Sequence, residues 1–174
     1  GNLIEFAIDY FQNLKKKYAT GRERKTEIRI FDDIVASKVA IANEKLYINR
    51  EEGFIGTSLK KDEYIGDCSD IDDIIIVRKD GVMLVTKVAA KTFVGKDILH
   101  AAVFKKGDKR TIYNLIYQDG KTKVSYMKRF AVTGITRDKE YDLTTGSKGS
   151  NISYLTVNPN GEAEVVTVFL RALH

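Results

Sequence analysis

Two histidines, one cysteine, a run of aspartates and nine tyrosines are the residues of this 174-residue chain to test first for bond chemistry. Cys68, His100 and His174 have no partners at metal-ligand spacing, so a zinc site is not expected. His100 lies in the apolar stretch Ile98-Leu99-His100-Ala101-Ala102 and reads as a structural histidine rather than a general base, and the terminal His174 reads as frayed. The cluster Asp67, Asp70, Asp72 and Asp73 could in principle hold a hard cation or carry hydrolysis. Ile71 and Ile74 interrupt it, however, and the ligand order of a calcium loop, with its central Gly and closing Glu, is absent. It reads as a solvated turn or a contact to a neighbouring domain. No glycine loop ends in Gly-Lys-Ser or Gly-Lys-Thr, no Gly-x-Ser-x-Gly elbow occurs, and nothing near any tyrosine would activate it as a nucleophile. The expectation is a chain with no catalytic residues, no metal and no cofactor of its own.

What remains is charge. The chain carries 29 Lys and Arg against 24 Asp and Glu, and the excess is local: residues 78–139 hold 15 basic and 5 acidic residues. Residues 1–77 hold 12 basic against 15 acidic, and residues 140–174 hold 2 against 4. A density of this kind can neutralise a phosphate backbone through several contacts, with an affinity that falls steeply as salt is added. The candidate phosphate-contacting residues are Arg78, Lys79, Lys87, Lys91, Lys105, Lys106, Lys109, Arg110, Lys121, Lys123, Lys128, Arg129 and Arg137. No aromatic RNA-binding motif, zinc finger or helix-turn-helix pattern accompanies them, so backbone and shape would be read rather than bases. The competing reading is that these side chains only solvate exposed strands.

The elements that must position these residues follow from periodicity. Apolar residues at 3, 4, 7, 8, 10, 11 and 14 form a helical stripe, Lys15, Lys16 and Lys17 suit the negative end of its dipole, and Gly21 is a stop. A helix of about 17 residues within 1–21 is expected. A charged linker follows at 22–34, and an all-β domain at 35–174. Gly1 reads as a scar of tag removal, and the sequence as a piece of something longer. With 43% hydrophobic residues and no long apolar run, the chain has mass for one ordinary core and no membrane span is expected. A single cysteine and no basic-then-apolar leader point to a reducing setting rather than a secreted scaffold.

Four similar units, each a β-run, a polar turn ending in Gly and a second β-run, occupy 45–56, 73–85, 114–124 and 154–166, and each reads as a hairpin. The turn glycines 53, 81, 120 and 161 are spaced by 28, 39 and 41 residues. Such a period suggests propeller-like blades, because one hairpin cannot bury its apolar face alone. An ordinary antiparallel barrel or sandwich with chance spacing is the alternative. Thr86–Gly95 and Ser125–Gly134 also align, which would place their bases on an outward band suited to a bent duplex.

The stretches 125–141 (Ser-Tyr-Met-Lys-Arg-Phe-Ala-Val-Thr-Gly-Ile-Thr-Arg-Asp-Lys-Glu-Tyr) and 158–168 (Asn-Pro-Asn-Gly-Glu-Ala-Glu-Val-Val-Thr-Val) resemble the C-terminal domain of the A subunit of bacterial type IIA topoisomerases. The likeness is nearer to the topoisomerase IV-like form of Bacteroides relatives than to the corresponding part of DNA gyrase. The opening helix and residues 21–28 resemble the junction leaving the DNA breakage-reunion core. This resemblance implies a β-pinwheel, a propeller-like disc with strand exchange between blades, here with three to four blades and therefore truncated or unusually small. It implies a basic rim that bends double-stranded DNA without sequence preference, in a cytoplasmic, nucleoid-associated enzyme. The catalytic tyrosine, the Mg2+ and ATP sites and the ATPase B-type subunit would all lie elsewhere in that holoenzyme. No Gln-Arg-Arg-Gly-Gly-Arg-Gly-like box is present, which favours relaxation or decatenation over supercoiling. A protein-interaction propeller with incidental charge is the other class to separate.

Overall fold

The computed structural model describes residues 2–21 and 42–169. The chain divides into two units, Gly1–Val35 and Ala36–His174. The first contains helix α1, Leu3–Tyr18, one residue shorter than the stripe suggested. Asn2 caps it by accepting the Ile4 amide, and Lys15, Lys16 and Lys17 occupy the last turn. None of its residues is buried. No described helix is long and apolar enough to cross a membrane. The expected linker at 22–34, the junction residues 22–28, Gly1 and His174 lie outside the described residues.

The second unit is all-β, with eleven strands among the described residues: β1 Glu44–Asn49, β2 Phe54–Gly56, β3 Glu63–Cys68, β4 Asp73–Arg78, β5 Val82–Lys87, β6 Thr92–Phe93, β7 Ile98–Phe104, β8 Ile112–Gln118, β9 Ser125–Ala131, β10 Tyr141–Asp142 and β11 Asn151–Asn158. They form three antiparallel sheets, ordered β3-β1-β2-β6, β10-β5-β4-β7 and β11-β8-β9. Each sheet is built on one hairpin, β1-β2, β4-β5 or β8-β9.

The second sheet is sandwiched, and the sequence of β4 shows why. Its run Asp-Ile-Ile-Ile-Val-Arg is apolar on both faces, since successive side chains point oppositely. Ile74 and Ile76 pack with Leu46, Ile48 and Ile55 of the first sheet. Ile75 and Val77 pack with Tyr113, Leu115 and Tyr117 of the third. The three sheets thus stack in chain order across two apolar interfaces, an arrangement consistent with part of a propeller, with no closed barrel among the described residues.

Two short strands are exchanged between neighbours. The chain leaving β5 pairs β6 with β2 of the first sheet, and the chain leaving β9 pairs β10 with β5 of the second. Gly53 and Gly81 make room for this. Both adopt positive φ, +81° and +89°, and a Cβ on Gly53 would collide with the Gly95 backbone, one on Gly81 with the Thr144 side chain.

Two of the expected hairpins need correction. The second run of the third hairpin is β9 at 125–131, not Lys121–Val124, because the turn extends to Lys123. Asp119 organises that turn, accepting the Lys121 and Thr122 amides at 3.0 and 2.7 Å. The Thr122 amide, with the Thr145 hydroxyl, holds its carboxyl well below the usual carboxylate range. The fourth hairpin does not form: β11 pairs with β8 as the third strand of the third sheet, and residues 161–169 form no strand. Three sheets are therefore present, and β9 corresponds to β5 rather than to the segment that follows it.

Candidate nucleic-acid interface

Strand register sorts the candidate cations by position. Asp73 lies opposite both Lys87 and Phe104, and Ile112 opposite Ala131, which defines the open end of the second and third hairpins. Lys87 stands at that end, with Lys105, Lys106, Lys109 and Arg110 on the β7–β8 connection and Arg137 bonded to Asp73. Lys79, Lys121 and Lys123 lie in the turns at the other end, and Arg78 closes β4 there. Lys128 and Arg129 are within β9. Lys91 lies beside the first sheet, its ammonium 4.2 Å from the Phe54 ring centroid.

The arginines all bond to partners within the chain, although Arg110, Arg129 and Arg137 remain exposed. Arg78 Nη2 donates to Asp80 at 2.9 Å, while Nη1 donates to Glu140 at 2.8 Å and to the Val94 carbonyl at 3.2 Å. Its side chain is only 14% exposed. Arg129 reaches Asn114 and the Gly161 carbonyl, each at 2.9 Å. Arg137 forks onto Asp73 at 2.8 and 3.0 Å, and Arg110 donates to Asn160 at 2.9 Å. Arg50 does the same between Glu63 and the Ile98 and Leu99 carbonyls. Every described arginine therefore joins segments distant in sequence, a use suited to its planar fork of donors. Arg50 and Arg78 each sit three residues before a positive-φ turn glycine, a sequence signal that a search for surface charge passes over.

The lysines differ. Lys79, Lys87, Lys105, Lys106, Lys109, Lys121 and Lys123 are exposed, and their ammonium groups make no ion pair or hydrogen bond among the described residues. Lys128 is the exception, half-buried, donating to the Leu143 carbonyl and lying over the Tyr117 ring. Lys105 and Arg110 also border a cleft of about 630 Å3 between the second and third sheets, with Asp108, Thr111 and Asn160. Asp108 is engaged locally, accepting from the Thr111 hydroxyl at 2.7 Å and the Arg110 amide at 2.8 Å.

The remaining chemical candidates find structural duties. Asp72 accepts the Ser69 amide at 2.8 Å, Asp67 accepts the Tyr64 hydroxyl at 2.8 Å, and Asp73 pairs with Arg137. Among the described residues no three His, Cys, Asp or Glu side chains are placed to hold a metal ion. Cys68 is buried against the first core, and burial pushes its thiol pKa up. His100 packs edge-on to Tyr113 with its Nε2 unpaired, and burial, with a smaller contribution from the Arg50 charge, lowers its pKa to about 4.

Comparison with known proteins gives this arrangement a family. Residues 45–172 match the family described as "Topoisomerase C-terminal domain, Bacteroidota". The A subunit of DNA topoisomerase 4 from Borreliella burgdorferi is 32% identical over 139 residues, which are 79% of this chain and 22% of that protein. The chain thus spans about a fifth of the length of the curated relative it matches. No solved structure matches it. A match that begins at β1 and covers all three sheets, with a relative alike over most of the chain, shows that this chain belongs to the C-terminal domains of bacterial topoisomerase IV-like A subunits.

Proposed function

We propose that this chain is a non-catalytic module that binds and bends double-stranded DNA, presenting it to the breakage-reunion core of the same subunit for ATP-dependent strand passage. The observation that carries this reading is the division of labour among the cations. Arginine, the better reader of guanine edges, is consumed in holding segments together, while seven exposed lysines keep un-neutralised charge on turns and connections. Lysine is a point charge on a flexible stem, and it contacts phosphates without demanding a fixed base geometry. Binding would therefore be tolerant of sequence and steeply dependent on salt.

In this reading the sheets form a β-pinwheel of the Bacteroides type, incomplete over the described residues, and its cations bend the duplex. Lys87, Lys105, Lys106 and Lys109 form the main contact, with Lys79, Lys121 and Lys123 extending it around the turns. Arg78, Arg110, Lys128, Arg129 and Arg137 hold those lysines in place. The Mg2+ and ATP chemistry belongs to other domains and to the ATPase B-type subunit, in a cytoplasmic, nucleoid-associated enzyme that relaxes or decatenates DNA. Binding of the chain to short linear and small circular duplexes across a salt series tests this. Sequence-tolerant binding that collapses with salt supports it. Absence of binding at low salt would turn the reading toward a protein-binding module.

A further inference from the structure

Beside the β7–β8 connection the second and third sheets do not close on each other. Deeper in their interface Ile75, Val77, Leu115 and Tyr117 are all buried. On the edge strand β7, Ala102 brings only a methyl group where its neighbour on β4, Ile75, brings a full aliphatic side chain. The gap is the cleft of about 630 Å3, a size that suits a small molecule. Ala102, Phe104 and Val157 give it apolar walls and are themselves only half-buried.

At this cleft the acceptors are taken and the donors are left over. Asp108 accepts the Arg110 and Thr111 amides at 2.8 and 3.4 Å and the Thr111 hydroxyl at 2.7 Å. The Asn160 side-chain oxygen accepts from Arg110 Nη2 at 2.9 Å, and Glu162 accepts the Asn160 amide at 3.3 Å. In contrast, Lys105 Nζ, Arg110 Nε and Nη1, the Asn160 side-chain NH2 and the Tyr113 hydroxyl donate to nothing among the described residues. Burial, with the Asp108 charge, pushes the Tyr113 pKa up to about 12, so this hydroxyl keeps its proton and remains a donor. The connection Lys105–Thr111 carries four cations and one carboxylate. Surplus donors beside apolar walls call for an anion with an apolar body. A phosphate of the DNA backbone would answer the donors and leave the walls unfilled.

We propose that this cleft binds a small organic anion, an aryl carboxylate or aryl phosphate, with its acid group held by Lys105 and Arg110 and its apolar body seated against Ala102, Phe104 and Val157. The Tyr113 hydroxyl and the Asn160 amide supply neutral donors from the same cleft. This inference does not rest on nucleic-acid binding, and its test contains no DNA.

The 174-residue chain is titrated with phenylacetate and with phenyl phosphate, and binding is read from amide chemical shifts. Phenethyl alcohol, a body without charge, and inorganic phosphate, a charge without a body, are the controls. Both aryl anions are expected to saturate with a Kd of about 1 mM or tighter, shifting Ala102, Arg110, Tyr113 and Val157, with each control at least about tenfold weaker. Arg110→Gln should weaken both aryl anions at least about fivefold and leave phenethyl alcohol unchanged. Ala102→Leu, which fills the cleft, should remove binding of the aryl anions. Equal affinity for phenylacetate and phenethyl alcohol would overturn the proposal, since the cleft would then be an apolar crevice without anion recognition. Equal affinity for phenyl phosphate and inorganic phosphate would overturn it too, as an adventitious ion only. So would the absence of saturable shifts, or aryl-anion binding that survives Arg110→Gln unchanged.

Discussion

Arg78 Nη1 lies 2.8 Å from Glu140 Oε1, a bond across 62 residues that ties the end of β4 to the residue just before the exchanged strand β10. The same nitrogen bonds the Val94 carbonyl, just after the other exchanged strand, β6. One guanidinium thus fastens both exchanges. Removing it would leave Glu140 and the Val94 carbonyl without this donor and Asp80 with the Val82 amide alone; both carboxylates are more than half exposed and regain water, so the cost is about 1–2 kcal/mol.

Arg78→Gln should therefore lower the urea midpoint clearly, and Arg78→Lys should rescue little, because an ammonium cannot reproduce the fork. DNA affinity per folded molecule should stay within about twofold. Urea titration with a binding assay at low denaturant checks both.

The lysines should behave in the opposite way. Replacing Lys105, Lys106 and Lys109 together by Gln should leave the melting temperature within about a degree, since none of the three ammonium groups makes an ion pair or hydrogen bond among the described residues and the attraction of Lys105 to Asp108 is a minor contribution. The slope of log affinity against log salt should fall by about 0.9 for each phosphate that is no longer neutralised. Fluorescence anisotropy at four or more salt concentrations reads this directly.

His100 sets a pH window. Its folded pKa, about 4, lies below its ordinary value of 6.5 because burial disfavours the charged form. The unfolded chain therefore takes up the proton first. The stability attached to the neutral imidazole is complete above about pH 6.5 and is lost as pH falls toward 4, by about 3 kcal/mol at most. His100→Gln should flatten the stability profile between pH 7 and pH 4.5, measured by urea midpoints at each pH.

Gly53→Ala should destabilise by at least about 2 kcal/mol, since it adds a left-handed strain to a collision with the Gly95 backbone. Loss of hydrogen-exchange protection should begin at Thr92–Val94, the segment that the Gly53 carbonyl holds through the Val94 amide.

Much of this architecture is legible in the sequence, but unevenly. The Asp73–Val85 hairpin shows plainly, because its apolar run and Gly81 are local signals. The exchanged strands do not, since two-residue strands such as Thr92–Phe93 have no periodicity to read. In the third hairpin Lys123 supplies the positive φ that sequence patterns assign to glycine, so Gly120 misplaces the turn. Pro159-Asn160-Gly161 does mark a turn, yet the strand before it belongs to the third sheet through pairing with β8, which only tertiary structure decides. The basic excess of residues 78–139 is a matter of counting. Which cations are tied up internally depends on partners 62 residues away for Arg78, 64 for Arg137 and 32 for Arg129, beyond any local pattern.

Exposed lysines on a stack of three sheets are held to bind duplex DNA by its backbone, and everything proposed for function depends on that. The most direct measurement is the affinity of this chain for two unrelated duplexes of equal length between about 50 and 200 mM salt. The expected result is near-equal affinities that fall together by about 10³ or more over that range, as for six or more phosphate contacts. Affinity for only one of the duplexes, or binding indifferent to salt, would contradict it.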